Sequence, residues 1–211
     1  MKIVIPLKAP ARAKKRLSSL LDPEQRANFC CLMLQDVLNS IQFAGFEGET
    51  IVVCSEPTIR EITESYGVQL IVTPMDGGYC EDALIGIEYF SSRGNEAISI
   101  IPADVPLLAP ADVTELKEKH ASGITLCPAM SDGGTNALVF DPPLGFPLQF
   151  GLDSLNNFRK IAARNGLASQ VLEIGGLARD IDTCEDLRWL KSCAEGGAAW
   201  SYLQDIPLAA G

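Results

Sequence analysis

The apolar positions of this chain fall into short runs that alternate with longer amphipathic stretches. Residues 2–6 (KIVIP), 50–54 (TIVVC), 68–72 (VQLIV), 97–101 and 123–127 are too short for helices and rich in isoleucine and valine, so they read as strands, the one at 97–101 buried on both faces. Between them, Asp22-Pro23-Glu24 opens a helix with Asp22 as N-cap and Pro23 at the first helical position. Phe29, Leu32, Met33, Val37 and Ile41 keep helical spacing to about Ala44, and Gly45 ends the run. Further helices are expected over 58–65 behind Pro57, over 81–92 after Gly77-Gly78, and over 110–120. Strand and helix thus alternate, which predicts an α/β chain with a mainly parallel, doubly wound central sheet. Past residue 127 the rhythm changes. A loop SDGGTN (131–136) leads into a strand over 137–140, and the Pro/Gly-rich DPPLGFP precedes a helix over 153–165. A strand near 169–174 and a helix from 184 to about 193 complete the pattern. The tail from Ala194, rich in Ala and Gly with scattered aromatics, is expected to dock as a short helix or to contact another subunit, which leaves a homodimer open. With no internal repeat and no low-complexity linker, residues 1–211 read as one domain.

Composition narrows the function. The net charge of −10 argues against a general nucleic-acid binder, which needs a basic face. No apolar run approaches the length that spans a bilayer, and MKIVIPLK is too short for a signal segment, so the expectation is a soluble, cytoplasmic protein without a membrane partner. Against the acidic background, Lys8, Arg12, Lys14, Lys15 and Arg16 crowd into nine residues, a local field suited to a small polyanion. The seven cysteines are odd in number and contain no C-x-x-C pair, so they read as reduced core thiols rather than a zinc site or disulfide frame. The single histidine, His120, is expected to be a solvated helix-end residue, and histidine-based catalysis is nearly excluded.

Four clusters can carry chemistry. Asp104 lies just past the carboxyl end of the strand at 97–101, where open α/β sheets bind ligands, although an aspartate there can also be an ordinary turn residue. In Asp180-Ile181-Asp182, alternation points both carboxylates to one side. With Asp104 they make a hard oxygen set suited to Mg²⁺. The competing reading has Asp182-Thr183 capping the last helix with Glu185 nearby. Gly133-Gly134-Thr135-Asn136 offers close backbone approach and polar handles. Phe150-Gly151-Leu152-Asp153-Ser154 stands at a helix N-terminus able to hold an anion. Neither G-x-G-x-x-G nor G-x-x-x-x-G-K-[ST] occurs, and the basic loop IPLKAPARAKKRL takes the place of a glycine-rich phosphate cradle. Together the clusters describe a GT-A-like nucleotidyltransferase with metal-dependent attack on an α-phosphate.

The pieces IPLK…AKKRL, DGG…AL, IPADVPLL, GGTNAL, FGLDS and ARDIDTCEDL resemble, in order from Lys2 to about Leu190, the 2-phospho-L-lactate guanylyltransferase (CofC-like) family. The resemblance implies a Rossmann-like fold, GTP as donor, release of pyrophosphate, and a guanylylated three-carbon acid used in building the deazaflavin coenzyme F-420. It implies metal ligands at Asp104, Asp180 and Asp182, and phospho-acid contacts at Thr135, Gly151 and Ser154. It places nucleotide contacts at Lys8, Lys14, Lys15, Arg16 and Gly78, with Asp104, Lys8, Lys14 and Arg16 carrying catalysis. The chain also departs from the pattern. Where the family reads D-x-G-x-G-L-N-x-A-L, residues 76–84 are one shorter and lack the Asn. After the FG pair the sequence runs Asp153-Ser154-Leu155, and the family's His position falls on Phe158. The altered pocket, with Met75 and Cys80, favours 3-phospho-D-glycerate over phosphoenolpyruvate or 2-phospho-L-lactate as acceptor. The alternatives are an inactive nucleotide-binding or regulatory homologue, or a nucleotidyltransferase with another acceptor. A cytidylyl- or molybdopterin-type enzyme would carry an L-x-G-G-x-G-x-R-like loop, which is missing here.

Overall fold

The computed structural model describes residues 1–130 and 132–207. Seven strands form one sheet in the order β3-β2-β1-β4-β6-β5-β7. These are β1 (Lys2–Pro6), β2 (Thr50–Cys54), β3 (Gln69–Val72), β4 (Ile98–Ile100), β5 (Ile124–Pro128), β6 (Thr135–Phe140) and β7 (Ser169–Val171). β1 pairs in parallel with both β2 and β4, β2 with β3, and β5 with β7, while β6 runs antiparallel between β4 and β5. The central parallel strands β1, β2 and β4 are buried on both faces, which is why they read as short apolar runs. Successive residues of β1 and β2 serve opposite cores. Ile3, Ile5, Val52 and Cys54 pack with Leu34, Val37 and Ile41 of α1 (Pro23–Phe43) and with Val113 and Leu116 of α4 (Pro110–Lys119). Val4, Ile51 and Val53 face α3 (Tyr79–Ser91), and β4, β5 and β6 extend that layer to Phe158 and Ala162 of α5 (Ser154–Arg164). α3 lies so close to β1 that a Cβ on Gly86 would meet Val4 Cγ1 at 2.3 Å.

The expected signals at the start of α1 are met: Asp22 accepts from the Gln25 amide, Gln25 returns a bond to the Asp22 amide, and Pro23 opens the helix. Gly45, at φ 77°, follows its end. The 58–65 expectation resolves into a 3₁₀ turn at Pro57–Ile59 and α2 (Arg60–Ser65). Two expectations need correction. Thr135 and Asn136, read as loop, are the first two residues of β6 and are buried, because pairing with β5 continues to Pro128. His120 is not a solvated residue: its side chain is 5% exposed, Nδ1 bonds Thr125 Oγ1 at 2.8 Å, and Nε2 lies 3.4 Å from Asp141. The helix-end position is right, but β5 and the end of β6 close over the ring.

The tail docks as a short helix, one of the two outcomes expected of it, with Ala199, Leu203 and Ile206 buried within its own chain. Helix α7 (Ala198–Asp205) puts Ala199 and Leu203, followed by Ile206, among Leu17, Leu21, Phe29 and Met33, with Ile181 and with Leu187 and Leu190 of α6 (Cys184–Ser192). Asp36 of α1 accepts from the amides of Ala198 and Ala199, satisfying orphan donors of α7. The last four residues, 208–211, lie outside the described ones.

Candidate active site

β1 passes the chain to β2 on one side and has β4 as neighbour on the other, so the sheet changes direction of winding between β1 and β4. At such a switch point the loops leaving the carboxyl ends part and open a crevice. Here those loops are the basic segment after Pro6 and the segment Ile101–Leu108. They border a cleft of about 860 Å³, within the range that holds small-molecule ligands. Its wall includes Lys8, Lys14, Lys15, Arg16, Gly78, Asp104, Thr135, Gly151, Asp180 and Asp182. The sequence-predicted residues are therefore brought together, with one exception. Ser154 is the first residue of α5 and 1% exposed, and it stands behind the wall with its Oγ unpartnered among the described residues.

Asp104, Asp180 and Asp182 each present a carboxylate oxygen within 4.8 Å of the others. The two segments are joined by a backbone bond from the Ile181 amide to the Asp104 carbonyl, 3.0 Å. Ile181 is fully buried, so alternation turns its two neighbours into the cleft. Thr183, not Asp182, caps α6, and its partner in the capping box is Asp186 rather than Glu185. That leaves the Asp182 carboxylate facing the cleft. Arg179 secures the same turn from behind: its Nε and Nη2 both lie 2.9 Å from Asp186 Oδ1, and its guanidinium stacks over Trp189 at 4.4 Å. Burial alone would raise the Asp186 carboxyl, but the bonds from Thr183 and Arg179 hold it below the usual aspartate value. Asn136 of β6 donates to the Leu177 carbonyl at 2.8 Å and to Asp180 at 3.3 Å, fixing the third carboxylate.

Lys14 stands in the middle. Its Nζ lies 2.5 Å from Asp104 Oδ2 and 2.5 Å from Asp182 Oδ1, with the side chain 8% exposed. Burial works against the ammonium, yet the two carboxylates outweigh it and raise its pKa above that of an ordinary lysine. Asp180 is pushed up by burial and by repulsion from Asp104 and Asp182. A group of like charges that raises one of its own members is short of positive charge. Three close carboxylate oxygens also match the hard-ligand preference of Mg²⁺, so the residues present fit that ion.

Lys8, Arg12, Lys15 and Arg16 are exposed along the same rim, and Arg16 Nη1 reaches to 3.9 Å from Asp182. The opposite wall is aromatic: Tyr79, at the start of α3, meets Phe150 edge-on at 5.0 Å, and Phe150 rests on Phe158 at 5.3 Å. Phe158 is thus a fully buried support two layers from the cleft. Sequence reasoning took Asn136 for a polar handle toward a ligand rather than the holder of Asp180, and gave no individual role to Tyr79, Arg179 or Asp186. The signal for Arg179 is faint, since its partner lies seven residues away across a turn. The seven cysteines are free, and burial raises Cys30, beside the cleft, to about 12. No helix is long and apolar enough to cross a membrane among the described residues.

The comparisons with known proteins point the same way. Residues 1–210 match a family model described as "Guanylyl transferase CofC like". A phosphoenolpyruvate guanylyltransferase of Rubrobacter xylanophilus is 33% identical over 201 residues, 93% of this chain and 95% of that relative. A 3-phospho-D-glycerate guanylyltransferase of Colwellia psychrerythraea is 30% identical over 194 residues, 89% of this chain and 90% of that one. In fold, the chain is similar to a Desulfovibrio desulfuricans G20 protein provisionally described as a nucleotide-diphospho-sugar transferase. The TM-score is 0.74 at 16% identity, over 97% of this chain and 95% of that one. On the family match over nearly its whole length, the chain belongs to the guanylyl transferase CofC-like family.

Proposed function

We propose that residues 1–211 act as one cytoplasmic nucleotidyltransferase domain that moves GMP from GTP to a three-carbon phospho-acid and releases pyrophosphate. The observation that carries this reading is the cleft itself, where three carboxylates and a basic loop face one another at the β1/β4 switch point. Lys8, Lys15 and Arg16, with Lys14, grip the triphosphate by charge-assisted bonds, and Gly78 lets the backbone come close to the nucleotide. Asp104, Asp180 and Asp182 hold Mg²⁺, which when bound neutralises charge on the phosphates. An oxygen of the acceptor's phosphate attacks the α-phosphorus in line. The bond to the β-phosphate bridging oxygen breaks, and pyrophosphate leaves with the electron pair. A phosphate monoester is already largely ionised at pH 7, so the attack needs no general base. His120, held by Thr125 and Asp141 outside the cleft, has no part in it.

Thr135 and Gly151, with the helix start at Ser154, form the acceptor end. Thr135 lines the cleft, and its hydroxyl is buried without a partner among the described residues. The altered 76–84 stretch favours 3-phospho-D-glycerate, while the relatives carry the names of both acids. The product would then be the guanylylated acid consumed in building coenzyme F-420. The test is pyrophosphate release with GTP, Mg²⁺ and each of 3-phospho-D-glycerate, phosphoenolpyruvate and 2-phospho-L-lactate, with ATP and CTP as controls. Release with GTP and one acid names the acceptor. Silence with all three, while GTP still binds by calorimetry, would replace the transferase with a nucleotide-binding protein.

A further inference from the structure

We propose that Lys14 is the resident cation of the Asp104–Asp180–Asp182 group, and that a divalent ion enters only when this side chain swings out toward the triphosphate, so that metal and nucleotide bind together. The inference rests on the reading of that group as the metal site. Its geometric basis is the position of Nζ, 2.5 Å from two of the three carboxylates whose ligand atoms span no more than 4.8 Å. A divalent ion needs the same lone pairs at about 2.0–2.1 Å. Two cations cannot share so small a set of oxygens without strong repulsion.

The surroundings make an exchange of side chains more economical than a loop movement. Ala13 and Leu17, flanking Lys14, are both buried in the cluster with α1, α6 and α7, so the loop is anchored on either side. Lys14 itself adopts a left-handed conformation, φ 52° and ψ 37°, which is unfavourable for a residue with a Cβ. The ion pairs hold it there. A triphosphate lying along Lys8, Lys15 and Arg16 would give the departing ammonium a new anionic partner within the same cleft. Arg16 cannot replace it among the carboxylates, since its guanidinium is 76% exposed and reaches only the outer oxygen of Asp182.

The affinity consequence is calculable. If the group is free of Lys14 in a tenth of the molecules or fewer, its apparent affinity for a divalent ion falls about tenfold or more. Mn²⁺ binding to the nucleotide-free protein, followed by the loss of the free-ion electron paramagnetic resonance signal, reads this directly. Lys14→Met should bind Mn²⁺ at least about tenfold more tightly than the wild type, and adding Asp182→Asn should remove the gain. Equal or weaker binding by Lys14→Met overturns the proposal. Because that variant leaves neighbouring carboxylates without their ammonium, the wild type provides a second reading. Under brief acetic anhydride labelling, Lys14 should react several-fold more slowly than Lys8 or Lys15, and saturating Mn²⁺ should raise its labelling several-fold. Unchanged labelling with Mn²⁺ bound also overturns it. Pyrophosphate release by the wild type separates this outcome from the fate of the transferase reading: release with no tightening in Lys14→Met keeps the transferase and discards the exchange.

Discussion

Asp82 offers a prediction whose size follows from its surroundings. It sits in the first turn of α3, 2% exposed, and its Oδ1 has no hydrogen-bond partner among the described residues. Burial, with Asp76 and Glu81 adding negative charge nearby, pushes its carboxyl from 3.8 up to about 6. The folded protein therefore holds this proton more tightly than the unfolded chain does. Stability from the group is fully present below about pH 4 and is lost as the pH rises through 6. The gap corresponds to about 3 kcal/mol. Discounted for partial screening of the charge, this leaves about 1–2 kcal/mol. Asp82→Asn keeps the shape and stays neutral, so it should be more stable than the wild type by that amount at pH 8, with the difference vanishing near pH 4. For a chain of 211 residues this is a rise of about 2–8 °C in midpoint at pH 8. Urea unfolding at pH 4, 6 and 8 measures it. A difference that does not change with pH, or a variant less stable at pH 8, would refute the account of Asp82 as an uncompensated buried charge.

Three further outcomes are expected. Asp104→Ala should lower turnover by about a thousandfold or more, the scale of losing a preorganised electrostatic contact, while far-ultraviolet circular dichroism stays that of the wild type; activity within a few-fold of wild type would mean the metal assignment is wrong. Arg179→Ala releases the turn that aims Asp180 and Asp182, so kcat should fall about 10–100-fold with KM for GTP nearly unchanged, in steady-state kinetics. Lys at the same position should recover little, because the bond pair to Asp186 and the stacking on Trp189 need a planar guanidinium. Gly86→Ala places a Cβ against Val4 and should cost about 1–3 kcal/mol in chemical denaturation, with no direct effect on the cleft.

The sheet was legible where chemistry is local. β-branched runs bounded by Pro and Gly gave five strands, and the Asp22-Pro23 pair placed the start of α1 to the residue. Asp104 and the pair at 180 and 182 were legible too, because strand-end position and alternation are rules of backbone geometry. What escaped depends on partners distant in sequence. His120 looked solvated because Asp141 and Thr125, which enclose it, belong to other elements. Thr135 and Asn136 looked like a turn because polar residues after Gly-Gly resemble one, although Thr135 pairs with Pro128 and Asn136 sits at the register shift within β6. Lys14 read as one basic residue of five, and its place between two carboxylates, 90 and 168 residues further on, comes from the closed fold alone.

The packing of α7 bears on how the protein is made. The cluster that anchors the basic loop joins residues 13–33 to residues 181–206, the two ends of the chain. Translation delivers about 5–20 residues each second, so the first of these partners waits roughly ten seconds or more for the last. Until Leu203 and Ile206 leave the ribosome, Leu17, Phe29 and Met33 have no complete cover, and the carboxylates at 180 and 182 have not met Lys14. A nascent chain can pair β1 with β2 early, but it cannot own a finished cleft before residue 206 has emerged. Chains cut short before residue 198 should therefore be born without a set site and with an apolar flank open to chaperones.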